Sequence, residues 1–276
     1  MTTSLYANAR KIAMDVLTVP LELPLLISCE DNVVVLTLNR PRQFNALSLA
    51  TLHALHAALN TIRDDIATRV VILAANGNAF CAGHDLKEMR AANDQVLVTN
   101  MFRLCSDMML KIAKLPVPVI AEVNGMATAA GCQLVAQCDL AVAVDQARFA
   151  VSGVNLGLFC STPAVPLSRT IARKRAAEML MTGEFIDADT ALEWGLVNRV
   201  VAPTALRAET LRLAASLKTK PRATLAAGKA LLYRQMEVGI EAAYADATDA
   251  IACNFMLPEA QEGIAAFLEK RKPVWE

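Results

Sequence analysis

An α/β fold with a largely parallel sheet and a helical C-terminal region is predicted by three features of the 276-residue sequence. Short aliphatic runs alternate with helical spacing as repeated β–α units, which is the sign of parallel strands with helices outside them. From about Ser161 the pattern turns almost wholly helical. Two stretches, Ala79-Phe-Cys-Ala-Gly-His-Asp-Leu-Lys87 and Asn124-Gly-Met-Ala-Thr-Ala-Ala-Gly-Cys-Gln-Leu134, each read as a strand entering a small-residue turn and then a helix.

Taken in order, Asn32–Asn39 is a strand bounded by turn residues, and Arg40–Asn45 is the turn after it. Ser48 is a natural N-cap for a helix reaching about Asp65. Arg69–Ala75 is a buried strand ended by Asn76-Gly77-Asn78. A long helix begins at Asp94 or Gln95 and runs to Lys114, where Pro116 and Pro118 stop it. Val119–Val123 and Asp139–Ala143 are strands, and Ala130–Gln137 between them is a helix. Beyond Ser161, helical spacing covers Arg173–Thr182, Asp187–Trp194, Pro203–Lys218, Arg222–Arg234, Glu237–Asn254 and Pro258–Lys270, with one strand at Val197–Val201. The expected organisation is an N-terminal extension (1–24), an α/β core (25–200) and a helical C-terminal region (201–276). The apolar positions of that last region, among them Leu225, Leu231, Ile240, Phe255, Ile264 and Phe267, need partners on the core or on neighbouring subunits.

Composition excludes several classes. Lys+Arg equals Asp+Glu at 27 each, which argues against global attraction to nucleic acid or to membranes. No apolar run is long enough to span a bilayer. The first 24 residues carry Arg10, Lys11, Asp15 and Glu22 without a continuous apolar run, so they fit a packed helix or a mitochondrial presequence better than a secretory signal. The seven cysteines form no C-x-x-C pair and no zinc spacing, and read as reduced thiols of an intracellular protein.

The two strand–turn–helix stretches carry the chemistry. A helix start leaves backbone N–H groups without intrahelical partners at the positive end of the dipole. Two such starts facing each other would hold one oxygen that becomes negative during a reaction.

In order and content the motifs resemble the enoyl-CoA hydratase/isomerase, or crotonase, superfamily. The matching residues are Leu38-Asn-Arg-Pro41, Asn45-Ala-Leu47, the two stretches above, Pro118–Gly125, Cys138-Asp139, Phe149, Asn155-Leu-Gly157, Thr182-Gly183, Gly195-Leu-Val197 and Ala266–Lys272. The resemblance covers about Val33 to Trp275. It implies a core of stacked ββα turns forming a spiral, a helical C-terminal trimerisation region, and homotrimers that often pair into hexamers. It implies an acyl-CoA thioester as ligand, with CoA part of the ligand and no tightly bound cofactor, no metal, no nucleic acid and no membrane insertion. By position, the oxyanion hole maps onto the backbone N–H groups of His84 and Ala130, and CoA contacts onto Ala46, Leu47, Ala82, Asp85, Leu86 and Lys87. Arg40, Lys87 and the Lys270-Arg-Lys272 cluster are further candidates for the CoA phosphates.

Hydratases of this family use two glutamates for water and its protons. One position is Gln133 here and the other Gly153. An amide holds a water without accepting its proton, and glycine offers no group at all, so ordinary hydration is expected to be weak or absent. In this the chain resembles the divergent enoyl-CoA hydratase domain-containing branch, through Ala127–Leu134, Gly153–Pro163 and Lys270–Trp275. The competing readings are a non-catalytic acyl-CoA sensor and a trimeric scaffold. A serine peptidase of the related Clp-type fold is disfavoured, because Ala129 or Ala130 stands where its nucleophile belongs. The bacterial cytoplasm and the mitochondrial matrix both suit the composition.

Overall fold

Ten strands among the described residues are divided between two sheets. In chain order they are β1 (Leu25–Glu30), β2 (Val33–Leu38), β3 (Val70–Ala75), β4 (Ala79–Cys81), β5 (Val119–Val123), β6 (Met126–Thr128), β7 (Leu140–Val144), β8 (Arg148–Ala150), β9 (Ile186–Asp187) and β10 (Arg199–Val201). The helices are α1 (Leu49–Asp64), α2 (Leu86–Ala92), α3 (Gln95–Lys114), α4 (Ala130–Gln137), α5 (Ser161–Thr170), α6 (Arg173–Thr182), α7 (Ala188–Trp194), α8 (Leu206–Lys218), α9 (Arg222–Gln235), α10 (Ile240–Phe255) and α11 (Pro258–Leu268). This computed structural model describes residues 23–92 and 94–275, so nearly all of the expected N-terminal extension lies outside the described residues.

The larger sheet has the order β1-β2-β3-β5-β7-β10, antiparallel only at the β1–β2 hairpin. The smaller sheet has the order β4-β6-β8-β9. Successive passes β3–β4, β5–β6 and β7–β8 each place one strand in either sheet before the chain leaves into a helix. This is the stacked ββα spiral that the resemblance implied. β5 is buried along its whole length and β3 up to Ala74, as strands covered on both faces must be.

The helices pack by their apolar stripes. α1 buries Leu52, Leu55, Leu59 and Ile62, and α3 buries Met101, Cys105, Met108 and Ile112. Ser48 Oγ accepts the Thr51 N–H as the expected N-cap, and Asp94 caps α3 through the Val96 N–H.

Three departures from the sequence reading have local causes. Strand β1 escapes that reading, because five of its six residues are not buried and it shows no clean alternation. Helix α5 escapes it because it contains Pro163 and Pro166. The predicted strand 197–201 shortens to β10, since the Leu196 and Val197 N–H groups turn back to Ala191 O beyond the left-handed Gly195.

Two ion pairs, one reaching a buried carboxylate and one built on a buried lysine, fasten the C-terminal helices. Arg207 on α8 meets Glu122 on β5 at 3.0 Å. Lys229 on α9 donates to Ile112 O, Val117 O and Asp139 Oδ2 at 2.9, 3.1 and 2.6 Å. Asp139 also accepts the Val119 N–H and the Tyr233 hydroxyl. These contacts give Glu122 and Asp139 structural roles. Beyond α9, by contrast, Ile240, Tyr244, Ile251, Phe255, Phe267 and Leu268 are all exposed. These side chains find no cover within the described residues of the chain.

Candidate functional site

The site begins with a pinned loop. Asn45 is buried in a left-handed conformation; its amide donates to Asn76 O and Ala79 O, and its Oδ1 accepts the Arg40 N–H. Asn and Asp tolerate that conformation better than other side chains. The loop is thereby held against β4, where the Ala82 N–H donates to Phe44 O. An isolated parallel bridge joins Leu47 to His84: the Leu47 N–H donates to Gly83 O, and the Asp85 N–H donates to Leu47 O. That pattern skips the N–H of His84 itself.

The second turn is bent to match. Ala129 sits at φ 48° and ψ −119°, a conformation that costs a non-glycine residue about 1–3 kcal/mol. Its N–H is held by Ala150 O at 2.9 Å. The bend presents Ala130 as the first residue of α4, where an N–H has no intrahelical acceptor. Among the described residues neither the His84 nor the Ala130 N–H has a hydrogen-bond acceptor.

The two turns touch. The Thr128 hydroxyl donates to Ala82 O at 3.1 Å. A methyl group on Gly83 would lie 2.9 Å from Ala129 Cβ and 3.3 Å from Ala130 N, and one on Gly131 would lie 2.0 Å from Cys81 O. Only glycine permits these approaches. The residue just before His84 therefore packs directly on the amide of Ala130.

The remaining predicted contacts gather on one rim. Ala46, Leu47 and Ala82 lie on the pinned loop and on β4's exit, while Leu86 and Lys87 are exposed at the start of α2. Asp85 accepts the Lys87 N–H at 3.1 Å and pairs with Arg40 at 3.0 Å. The Arg40 backbone bonds and its bond to Ala46 O were not foreseen; its guanidinium is committed to the scaffold rather than free for phosphate. Arg271 is likewise bound by Glu262 and Glu269. The signal that would have found the scaffold is the Arg40-Pro-Arg-Gln-Phe-Asn45 turn itself, since an Asn closing a turn commonly bonds back to its backbone.

Gln133 is buried on the first turn of α4, with its N–H on Ala129 O and its Oε1 without a partner. Gly153 lies in a short 3₁₀ turn. A methyl group there would sit 2.5 Å from Leu158 O and 2.8 Å from Cys160 Sγ. Position 153 is thus closed by the chain that follows it as well as lacking a carboxylate. Burial pushes the Cys160 thiol up and raises Cys81 and Cys132 to about 12, which makes all three inert packing groups.

The His84 ring packs edge-on against Phe102 of α3, with centroids 4.9 Å apart and planes at 76°. Burial lowers its pKa to about 4. The unfolded chain takes up a proton near pH 6.5 that the folded chain resists until about 4. Stability therefore falls as pH drops through that window, by at most about 1.4 kcal/mol per unit from this residue. Urea melts between pH 7.5 and 4.5 check this, with His84→Asn expected to give the shallower slope.

An apolar recess of about 660 Å³ opens between α1, α2 and α3, bordered by Leu49, Leu97, Met101 and Leu104. No helix among the described residues is long and apolar enough to cross a membrane, and no group of three metal-ligating side chains occurs among them.

Comparison with known proteins gives a consistent picture. The family model described as enoyl-CoA hydratase/isomerase matches residues 28–276. Human enoyl-CoA hydratase domain-containing protein 3, mitochondrial, is 46% identical over 245 residues, spanning 89% of this chain and 81% of that protein. Its crystal structure superposes with a TM-score of 0.88 at 45% identity, covering 91% of this chain and all of that one. The crystal structure of an enoyl-CoA hydratase from Mycobacterium smegmatis is 60% identical with a TM-score of 0.90, covering 91% and 98% of the two chains. Crotonyl-CoA hydratase of Syntrophomonas wolfei is 34% identical over 258 residues, covering 90% of this chain and 96% of that protein.

Proposed function

The chain belongs to the enoyl-CoA hydratase/isomerase family, and from that premise we propose that it binds an acyl-CoA thioester with the carbonyl oxygen between the backbone N–H groups of His84 and Ala130. The observation that carries this reading is the pair of unbonded amides on two turns tied together by Thr128 and by the bare face of Gly83. Preorganised donors of this kind act on charge that develops at the oxygen, and removing one typically costs about 3–4 kcal/mol in a catalysed reaction.

In this reading Ala46, Leu47, Ala82, Asp85, Leu86 and Lys87 form the rim along which CoA lies. Lys87 is the exposed cation for its phosphates. CoA arrives and leaves with the acyl group and is not a resident cofactor. The recess between α1, α2 and α3 gives an alkyl chain apolar room. Gln133 and Gly153 supply no proton transfer, so ordinary hydration of an enoyl thioester is weak. The exposed faces of α10 and α11 associate copies into a homotrimer or a dimer of trimers. A place in fatty-acid or acyl-CoA metabolism follows from the ligand, and the mitochondrial location named for the human relative is one of two compartments that suit it.

Titration calorimetry with acetyl-CoA and octanoyl-CoA tests the ligand. Heat of binding is expected with both, and at 100 times Kd the folded state gains about 2.7 kcal/mol. Absence of heat and of any thermal shift with either thioester leaves only the scaffold reading. The second reading, an ordinary hydratase, is favoured by the 60% identity to the enoyl-CoA hydratase from Mycobacterium smegmatis and is separated by turnover.

A further inference from the structure

Arg40 stands at one end of a hydrogen-bonded chain whose other end is the His84 N–H. Its Nη1 donates to Ala46 O at 2.8 Å, and its Nη2 donates to Asp85 Oδ2 at 3.0 Å. Ala46 O belongs to the same peptide unit as the Leu47 N–H, which donates to Gly83 O at 2.7 Å. Gly83 O in turn belongs to the same peptide unit as the His84 N–H. A trans peptide unit is planar, with its C=O and its N–H on opposite edges. Each unit therefore accepts a proton donor at one edge and presents its own at the other. The order is guanidinium, Ala46–Leu47 peptide, Gly83–His84 peptide, and then the unbonded His84 N–H.

This chain aims the amide. Turning the Gly83–His84 peptide would break the bond from Leu47, so the bond at its carbonyl fixes where its N–H points. The Arg40 fork braces both sides of the joint, at Ala46 just before Leu47 and at Asp85 just after His84. The chain also carries charge. Hydrogen bonds in series polarise one another by about 10–30% per bond, and a bond from an ionised donor is roughly twice as strong as a neutral one. The side chains of Arg40 and Asp85 are only 22% and 13% exposed, which limits screening by water. Asp85 offsets part of the charge, and Ala46 O also accepts the Ser48 N–H at 3.0 Å, so only a fraction is transmitted. The His84 ring is not the source. Burial keeps it neutral down to about pH 4, and neither of its nitrogens has a partner among the described residues. The Ala130 N–H has no such backing, because the carbonyl of its own peptide unit, Ala129 O, accepts the neutral Gln133 N–H.

We propose that Arg40 is a positioning residue for the carbonyl site: through two peptide units it aims the His84 N–H and strengthens it as a donor to an oxygen that gains negative charge. This rests on the thioester reading above and deepens it. The two amides are then unequal, with the one at His84 backed by a cation and the one at Ala130 by a helix start.

The test compares wild type, Arg40→Gln and Asp85→Asn as full chains, each checked for folding by circular dichroism. Each is titrated with butyryl-CoA and with the thioether S-butyl-CoA. Isotope-edited infrared spectra then read the carbonyl stretch of bound butyryl-CoA, which falls as the carbonyl is polarised. Arg40→Gln removes the cation. It is expected to cut the thioester-to-thioether affinity ratio about threefold or more and to move the carbonyl band toward that of free ligand, while S-butyl-CoA binds within about twofold of wild type. Asp85→Asn keeps the guanidinium and removes the offsetting charge, so its carbonyl band is expected below that of wild type. That shift decides alone if Arg40→Gln does not fold. An unchanged ratio in Arg40→Gln, an equal loss of both ligands there, or a band in Asp85→Asn at or above the wild-type position overturns the proposal and leaves the thioester reading intact. Wild type that binds butyryl-CoA no more tightly than S-butyl-CoA overturns the carbonyl reading itself, and the proposal with it.

Discussion

Lys229→Met is expected to destabilise the fold by about 3 kcal/mol, the largest single effect on stability from any residue discussed. Burial pushes the Lys229 ammonium below the usual lysine range, and the neighbouring carboxylate of Asp139 opposes that shift without cancelling it. The desolvation of this ion is thus only partly repaid by its partner, which is the common balance for buried pairs. Breaking the pair is a different matter. Methionine fills much of the volume but leaves Ile112 O, Val117 O and one side of Asp139 unmet beneath α9. The Val119 N–H and the Tyr233 hydroxyl still hold Asp139, which keeps the loss from the upper end of the usual range. Thermal unfolding at fixed protein concentration is expected to drop by about 6–12 °C for a chain of this size. Lys229→Met with Asp139→Asn removes the stranded charge and should be more stable than Lys229→Met alone. An unchanged melting temperature in the single variant would show that α9 is held by other contacts.

Hydration of crotonyl-CoA is expected to run at least ~10³-fold below that of a homologue with both glutamates, because general acid–base groups commonly supply roughly 10²–10⁴-fold each. Gln133→Glu supplies one of the two groups. It should raise turnover, yet leave it well below the two-glutamate level. The sequence alone invites restoring both positions together, but the structure argues against that route. A side chain at residue 153 runs into Leu158 O and Cys160 Sγ, so Gly153→Glu forces the 3₁₀ turn open at about 1–3 kcal/mol. The double variant should gain nothing over Gln133→Glu and melt at a lower temperature. Steady-state rates and melting curves on the four proteins decide it. Wild-type turnover matching the two-glutamate homologue would establish the chain as an ordinary hydratase by groups other than those at 133 and 153.

The parallel strands were legible because β3, β5 and β7 are short aliphatic runs between turn residues, and α1 and α3 because their capping residues and apolar stripes agree. The paired turns could be located from their small residues alone. Their convergence could not, since it depends on Gly83, Thr128 and Gly131 meeting across two strands distant in sequence. The scaffold role of Arg40 was hidden for a related reason: its partner Asp85 is 45 positions away, and an arginine in a turn looks the same in sequence whether paired or free. Strands β8 and β9, of three and two residues, are too short to show a period and exist only through their neighbours. The unmet atoms of His84 and Gln133 belong to the same class, because burial without a partner is a property of packing.

The sharpest measurement compares butyryl-CoA with its thioether analogue, S-butyl-CoA, which keeps the chain and the nucleotide but lacks the carbonyl oxygen. If the amides of residues 84 and 130 converge on that oxygen, the thioester should bind about 5- to 150-fold more tightly, the range expected for two net hydrogen bonds. Equal affinity for the two would mean that no carbonyl is gripped there, and the paired turns would be a feature of packing alone.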